Sequence, residues 1–338
     1  RLADCEINYR RFFDVNCLIG VRIEDPNVFD IVHAQIFKLI KFDSIHGLRI
    51  DHVNGLADPA EYISRLQERL GPGFYIIVEK ILGEAEHLRP WQASGETGYK
   101  ALNQLDGIFI NQNNEAAFDA LYCQPRYDGS SFDKQLQAIK IQLLNTTFVA
   151  ELHLLVDHTL RLTKGRDLTP CSVAHIWTQL IATLPVYRSY LARGKGDEED
   201  RRLLAKSLDS VAATCSSEHA ETIMFLWEIL TNPTTNNEII DLHMRFQQLS
   251  GPVMAKSLED TLFYRYARFV ALNEVGGAPE RFGISVMEFH AENEQRAYVR
   301  PYGLVATQTH DTKRGEDLRA RLLALSHSPE LWCEFLGV

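Results

Sequence analysis

The 338-residue sequence predicts an α/β protein with a large helical segment set into it, and three observations carry that expectation. Two helix starts share one punctuation, Asp25-Pro26 and Asp58-Pro59, an N-cap residue followed by proline at the first helical position. Between and after them lie Gly47-Leu48-Arg49-Ile50-Asp51-His52 and Gly73-Phe74-Tyr75-Ile76-Ile77-Val78-Glu79-Lys80, short apolar runs that end in charged residues. From Glu115 through Gln248, by contrast, apolar residues recur mainly at helical spacing, so this stretch does not continue a strand–helix repeat.

Taken in order, the opening Ile7-Asn8-Tyr9-Arg10-Arg11-Phe12-Phe13-Asp14 suits a loop packed over a pocket, with packing of Phe12 and Phe13 onto the core as the alternative. The helix from Pro26 presents Val28, Val32, Ile36, Leu39 and Ile40 on one side and leads into the strand that carries Arg49 and Asp51. The helix from Pro59 presents Tyr62, Leu66 and Leu70 and stops at Gly71. The run up to Glu79 lacks polar alternation, as a parallel strand covered on both faces does. The interval from Asp51 to Glu79 holds one strand–helix–strand unit, and two successive strands then end in an acid, where (β/α)8 barrels and open α/β sheets alike place their sites.

Farther on, Gly95-Glu96-Thr97-Gly98-Tyr99 and Gly107-Ile108-Phe109-Ile110 each offer a strand, and the residues alone do not choose between them. The charged Arg193–Arg202 stretch reads as a solvated loop between helices. The strand-poor region is expected to be a helical insertion, with a separate helical domain as the alternative. Gly251-Pro252-Val253-Met254-Ala255-Lys256 resumes as a possible strand, and Ser257-Leu258-Glu259-Asp260 follows as a helix-start signature. Gly303–Asp311 is expected to be a further strand, with Val305, Thr307, Thr309 and Asp311 on one side. A helix through Leu322 and Leu323 then opens around Thr312–Asp317.

With 45% hydrophobic and 24% charged residues, the chain has ordinary globular composition, which excludes a disordered or fibrous class. A formal charge of −10 argues against a nucleic-acid partner, which requires basic surface, and is compatible with a neutral polyhydroxylated substrate. The six cysteines, Cys5, Cys17, Cys123, Cys171, Cys215 and Cys333, have no metal-type spacing and read as reduced thiols of a cytoplasmic protein. No run of about 18 apolar residues is present, so no membrane partner is expected. The chain starts at Arg1 without methionine and ends directly after a helical pattern, so it is read as a piece of a longer protein.

On its own, Arg49 beside Asp51 is either a structural ion pair or an oriented nucleophile. Three acids at strand ends, Asp51, Glu79 and Asp311, suggest metal binding or glycosyl transfer. Only His52 and His310 accompany them, fewer histidines than a dinuclear metal site usually draws on, so neither metal nor cofactor is expected. Glycosyl transfer requires one ionised carboxylate to attack and one protonated carboxyl to donate. Asp51 beside Arg49 suits the first role, and Glu79, after Ile76-Ile77-Val78, suits the second, because burial raises a carboxyl pKa.

Gly47–His52, Val78-Glu79-Lys80 and Thr309-His310-Asp311 resemble three later sequence regions of the α-amylase superfamily, glycoside hydrolase family 13. The wider text is similar to the trehalose-forming glucan mutases of that superfamily: Tyr9–Asp14, Asp51–Pro59, Thr97-Gly98-Tyr99, Gly251–Lys256, Phe263-Tyr264-Arg265-Tyr266 and His310–Arg314. The resemblance implies a partial (β/α)8 TIM barrel of the α-amylase type. Residues 1–112 would hold the middle strands, 113–249 the helical insertion and 250–338 the later strands. It implies a retaining intramolecular transglycosylation that turns the reducing-end α-1,4 bond of a maltooligosaccharide into an α,α-1,1 bond. Asp51 carries over as nucleophile, Glu79 as general acid/base and Asp311 as the acid that stabilises the transition state. Arg49 would orient Asp51, while His310, His52 and Lys80 would touch the sugars. Tyr99, Lys256 and Arg314 carry over as substrate-binding positions, with surface or core roles as the alternative.

Two positions depart from the family's pattern, which usually has Asp at Asn54 and Thr at Glu96. The superfamily's earlier Asp and Asn-His region, the first barrel strands and the last strand are not in the chain. Such a barrel has open sheet edges and an incomplete pocket, so the chain alone is expected to be weakly active or inactive. An α-amylase-type hydrolase and a non-catalytic oligosaccharide-binding fragment are the competing readings.

Overall fold

The computed structural model describes residues 6–83, 86–122, 130–163, 165–192 and 198–337. Among these, the strands are β1 (Arg11–Phe12), β2 (Val15–Ile19), β3 (Gly47–Ile50), β4 (Tyr75–Val78) and β5 (Gly95–Glu96). The helices are α1 (Pro26–Lys41), α2 (Pro59–Leu70), α3 (Tyr99–Ile108), α4 (Glu115–Tyr122), α5 (Phe132–Leu144), α6 (Val149–Leu162) and α7 (Pro170–Thr183). They continue with α8 (Glu198–Thr214), α9 (Ala220–Thr231), α10 (Asn237–Leu258), α11 (Val286–Val299), α12 (Glu316–Ala324) and α13 (Pro329–Leu336). The fold is α/β with helices dominant. The chain divides into two compact units, one of Arg1–Ala34, Asn54–Pro59 and Leu136–Leu258, the other of Gln35–Val53, Ala60–Gln135 and Glu259–Val338.

The second unit holds the parallel sheet, in the order β3-β4-β5. As the apolar run predicts, Ile76, Ile77 and Val78 are all buried, and α2 makes the crossover between β3 and β4. Gly71, at φ 101°, ends α2 where a side chain would be strained. The face of α2 that goes inside is Ile63, Leu66 and Gln67, one position round from the expected Tyr62–Leu66–Leu70 stripe. Gln67 explains the rotation: its amide donates to the carbonyls of Phe74 and Gln92 and accepts from the N–H groups of Gly73 and Phe74. Three of these hydrogen bonds tie the helix to the turn that launches β4 and the fourth ties it to the approach to β5, which a leucine at that position could not do.

Of the two candidate strands after β4, Gly95–Glu96 forms β5, whereas Gly107 and Ile108 end α3 and Phe109 caps it. Gly303–Asp311 is not a strand: Leu304 N–H donates to the Glu96 carbonyl at 3.0 Å beside β5, and no regular ladder follows. The approach is close enough to require glycine, since a Cβ on Gly95 would lie 2.3 Å from the Gly303 Cα. Phe118, Phe269 and Phe282 form a separate small aromatic core in this unit.

The first unit is built around a helical core. Trp177 is fully buried, faces Phe246 with ring centroids 5.1 Å apart, and donates its indole N–H to Thr159 Oγ1 at 2.9 Å. Leu249 and Val253 belong to the same core, which corrects the strand expected at Gly251–Lys256: those residues lie inside α10. Packing of its apolar face outweighs the helix-breaking tendency of Gly251 and Pro252. Ser257 and Leu258 accordingly end α10 instead of opening a helix. The N-cap Asp25 is confirmed by a 2.8 Å bond from Asn27 N–H, but Phe29 and His33 are buried in α1 while Val32 is 48% exposed. The N-terminal segment is a hairpin of β1 and β2 rather than a loop. Arg11 is buried against Glu151 at 2.6 Å, and Phe12 points outward at 41% exposure.

Residues 193–197 of the expected charged loop lie outside the described residues, and Glu198–Arg202 open α8 instead. Cys17, Cys171, Cys215 and Cys333 are free thiols, while Cys5 and Cys123 lie outside the described residues. Among the described residues no single helix is long and apolar enough to cross a membrane.

Candidate active site

Parallel pairing of β3 and β4 places Ile50 opposite Val78, and the Glu79 N–H continues the ladder to the Ile50 carbonyl at 2.8 Å. Asp51 and Glu79 are therefore the next register neighbours, brought together at the carboxyl ends of two strands as the spacing predicts. Arg49 spans them. Its Nη1 lies 2.5 Å from Asp51 Oδ1 and its Nη2 lies 3.6 Å from Glu79 Oε1. On the other side, the backbone N–H of His52, held at φ 48°, donates to Glu79 Oε2 at 2.5 Å.

The two acids differ in environment. The Glu79 side chain is 15% exposed, and its pKa is raised, first by burial and then by the charges of Asp51 and Asp311. The His52 N–H and Arg49 pull it the other way without cancelling the shift. The Asp51 side chain is 62% exposed. β3 ends before Asp51, and the Arg49 guanidinium donates to its Oδ1.

Asp311 joins the cluster from the loop after Leu304. Its Oδ2 accepts the Tyr99 hydroxyl at 3.0 Å and lies 3.2 Å from His310 Nε2. Tyr99 is buried at the start of α3, and burial first of all pushes its phenol pKa up, so it remains a hydrogen-bond donor to Asp311. Thr309 Oγ1 adds a bond to the Tyr99 hydroxyl at 3.2 Å and accepts the Asp311 N–H at 3.2 Å. His310 is 70% exposed beside this group.

Arg49, Asp51, His52, Glu79, Tyr99, His310 and Asp311 thus converge, and three expected residues are engaged otherwise. Lys80 is buried, with Nζ 2.5 Å from Glu86 Oε1. The Arg314 guanidinium donates to the Asn273 carbonyl at 3.1 Å. Lys256 belongs to α10 of the helical unit, where Nζ lies 3.4 Å from Asp14 Oδ1 and over the Phe13 ring. The two departures from the family pattern are also occupied. Asn54 accepts the Tyr190 hydroxyl at 2.6 Å, and Glu96 is buried with the Gly98 N–H on its Oε2 at 2.5 Å.

Sequence reasoning missed Glu274, Arg319 and Asp106, which hold the Asp311 loop from beneath through buried contacts. No motif marks them: Glu274 and Arg319 bond to backbone atoms, which every residue supplies, and Asp106 accepts from the Arg319 side chain far along the chain. Among the described residues no group of three or more His, Cys, Asp or Glu has a geometry that would hold a metal ion.

No family model matches the chain. Curated relatives from two strains of Mycobacterium tuberculosis, each a putative maltooligosyl trehalose synthase, are 37% identical over 332 residues, 97% of this chain. The chain spans 41% of their length. The solved maltooligosyltrehalose synthase from Arthrobacter ramosus superposes with a TM-score of 0.88 at 36% identity, covering 100% of this chain and 42% of that one. A hypothetical maltooligosyl trehalose synthase from Sulfolobus tokodaii gives 0.78 at 31% identity, over 96% of this chain and 40% of that one.

Proposed function

We propose, for a chain related along nearly its whole length to about two fifths of a maltooligosyl trehalose synthase, that it carries the catalytic carboxylates of a trehalose-forming glucan mutase. The observation that carries the reading is one guanidinium spanning two register-paired acids, the more buried of which has a raised pKa. Retaining glycosidases need such a pair at short spacing, about 5 to 5.5 Å between carboxyls. The sheet β3-β4-β5 with the segment after Tyr302 is read as part of a (β/α)8 barrel, and residues 113–249 as an insertion between its strands.

Asp51 attacks the anomeric carbon of the glucose next to the reducing end, forming a glycosyl ester as the bond to O4 breaks. Glu79 gives its proton to that leaving oxygen. The released glucose turns over, and its anomeric hydroxyl, losing its proton to Glu79, attacks the same carbon and expels the Asp51 carboxylate. Two inversions return an α linkage, now 1,1. Asp311, oriented by Tyr99, stabilises the positive charge that develops on the sugar ring, and His52 and His310 face the bound sugars.

A mutase must keep its glucose and exclude water until the second attack. The 62% exposure of Asp51 favours the α-amylase-type hydrolytic reading for any form of the site left as open as this one. Incubation of the full-length protein with maltopentaose separates the two. A non-reducing product that keeps every glucose unit of the substrate supports the mutase. Release of reducing glucose or shorter maltooligosaccharides alone rejects it.

A further inference from the structure

We propose that Arg319 is a positioning residue for Asp311, clamping both ends of the loop that carries it, an inference that rests on the glycosyl-transfer reading above. Residues 307–314 contain neither strand nor helix, and the Asp311 side chain within them is 42% exposed. No backbone ladder therefore fixes this acid as β3 and β4 fix the approaches to Asp51 and Glu79. Arg319, on α12, is 2% exposed and directs its guanidinium at the loop from below. Nη2 donates to the Thr307 carbonyl and Nη1 to the Arg314 carbonyl at 2.7 Å, which are the two flanks of the loop. Nε donates to Asp106 Oδ2 at 2.8 Å, anchoring the clamp to α3, the helix that begins with Tyr99.

Glu274 completes the arrangement. Its side chain is 1% exposed and lies 3.7 Å from Arg319 Nη1. Glu274 Oε1 accepts the Lys313 N–H at 2.7 Å and Oε2 the Arg314 N–H at 3.4 Å. A buried ion pair is a costly way merely to fill space, and an apolar side chain of similar volume often serves stability as well. Three donors of one rigid planar group reaching three separate acceptors is instead a geometric device that only arginine supplies. Between its two grip points stand Thr309 and Asp311, which bond to Tyr99, and His310, which contacts Asp311.

The test uses the full-length protein and maltopentaose turnover, with Arg319→Lys as the variant, since lysine keeps the charge but cannot reach all three acceptors. The expected result is a fall in kcat of about tenfold or more with KM changed less than about twofold, as for a displaced catalytic group. In an Asp311→Asn background the same substitution should cost less than about twofold, because the residue through which it acts is already disabled. An unchanged kcat, or an equal loss in both backgrounds, overturns the proposal. Where Arg319→Lys does not fold, Glu274→Gln takes its place and must show the same dependence on Asp311. Absence of turnover by the unsubstituted protein rejects the glycosyl-transfer reading first, and this proposal with it.

Discussion

Glu79 accepts the backbone N–H of His52 at 2.5 Å, from a residue in the left-handed region at φ 48°. Left-handed geometry in a residue with a Cβ costs roughly 1 kcal/mol or more and persists where surrounding contacts demand it. The donated bond holds Glu79 in place while leaving its other oxygen facing Arg49 at 3.6 Å.

Burial and two neighbouring carboxylates raise the Glu79 pKa, so it keeps its proton at pH values where an ordinary glutamate has lost it. Since the first step needs that proton, kcat/KM of the full-length enzyme should decline as pH rises through this raised value. Glu79→Gln should lower kcat by about 10²- to 10⁴-fold and remove that limb. A pH–rate profile of the two proteins checks both, and an unaltered alkaline limb in the variant would reassign the acid.

Arg49 contacts both acids, so its loss should affect more than one step. Arg49→Lys replaces a planar fork by a single ammonium that cannot serve Asp51 and Glu79 together. Turnover should fall by about 10²-fold, the scale of a small misplacement of reacting groups. The Arg49 side chain is 36% exposed and Asp51 62%, so thermal stability should barely move. A fall in melting temperature matching the lost activity would mean that the pair is structural.

How much of this was legible beforehand depended on range. The β3-α2-β4 unit could be read because its signals are local: a capped helix, an apolar run and an acid at each strand end. The strand at Gly251–Lys256 failed because the core around Trp177 decides that segment, and nothing within six residues reports it. Asp311 was singled out beside His310 and Thr309 at an expected strand end, but it lies on a loop whose support was invisible. Thr307 and Arg314 are held by Arg319 through carbonyl oxygens, which every residue possesses.

Gly95 shows how little room the β5 edge has. A methyl group there would stand 2.3 Å from the Gly303 Cα and 2.8 Å from its nitrogen, both backbone atoms that cannot rotate away. Gly95→Ala should therefore cost about 1–3 kcal/mol or more, as overpacking does, and loosen the segment that leads to Asp311. Chemical denaturation measures the first effect. Hydrogen exchange at Leu304, whose N–H bonds to the Glu96 carbonyl, measures the second.

In the helical unit, Trp177→Ala should cost about 3–5 kcal/mol, because a fully buried indole leaves a cavity and its hydrogen bond to the Thr159 hydroxyl is lost. Denaturant unfolding followed by circular dichroism reads the loss. A cost below about 1 kcal/mol would show that Phe246 and its neighbours collapse into the space.

Glu96 gives a stability prediction with a definite sign. It stands where the resembled family usually has threonine, and burial raises its pKa against the opposing Gly98 N–H, Arg296 and Lys100. A carboxyl raised in the folded state favours folding when protonated. Its contribution is complete below the unfolded value, about 4.3, and is lost as pH rises through the folded one. Glu96→Gln keeps an oxygen for the Gly98 N–H and removes the charge that burial opposes. The variant should therefore melt above the parent at pH 8, with the gap closing toward pH 4. A gap that is constant with pH, or that widens as pH falls, would mean that Arg296 and Lys100 hold Glu96 ionised and that the buried charge is compensated.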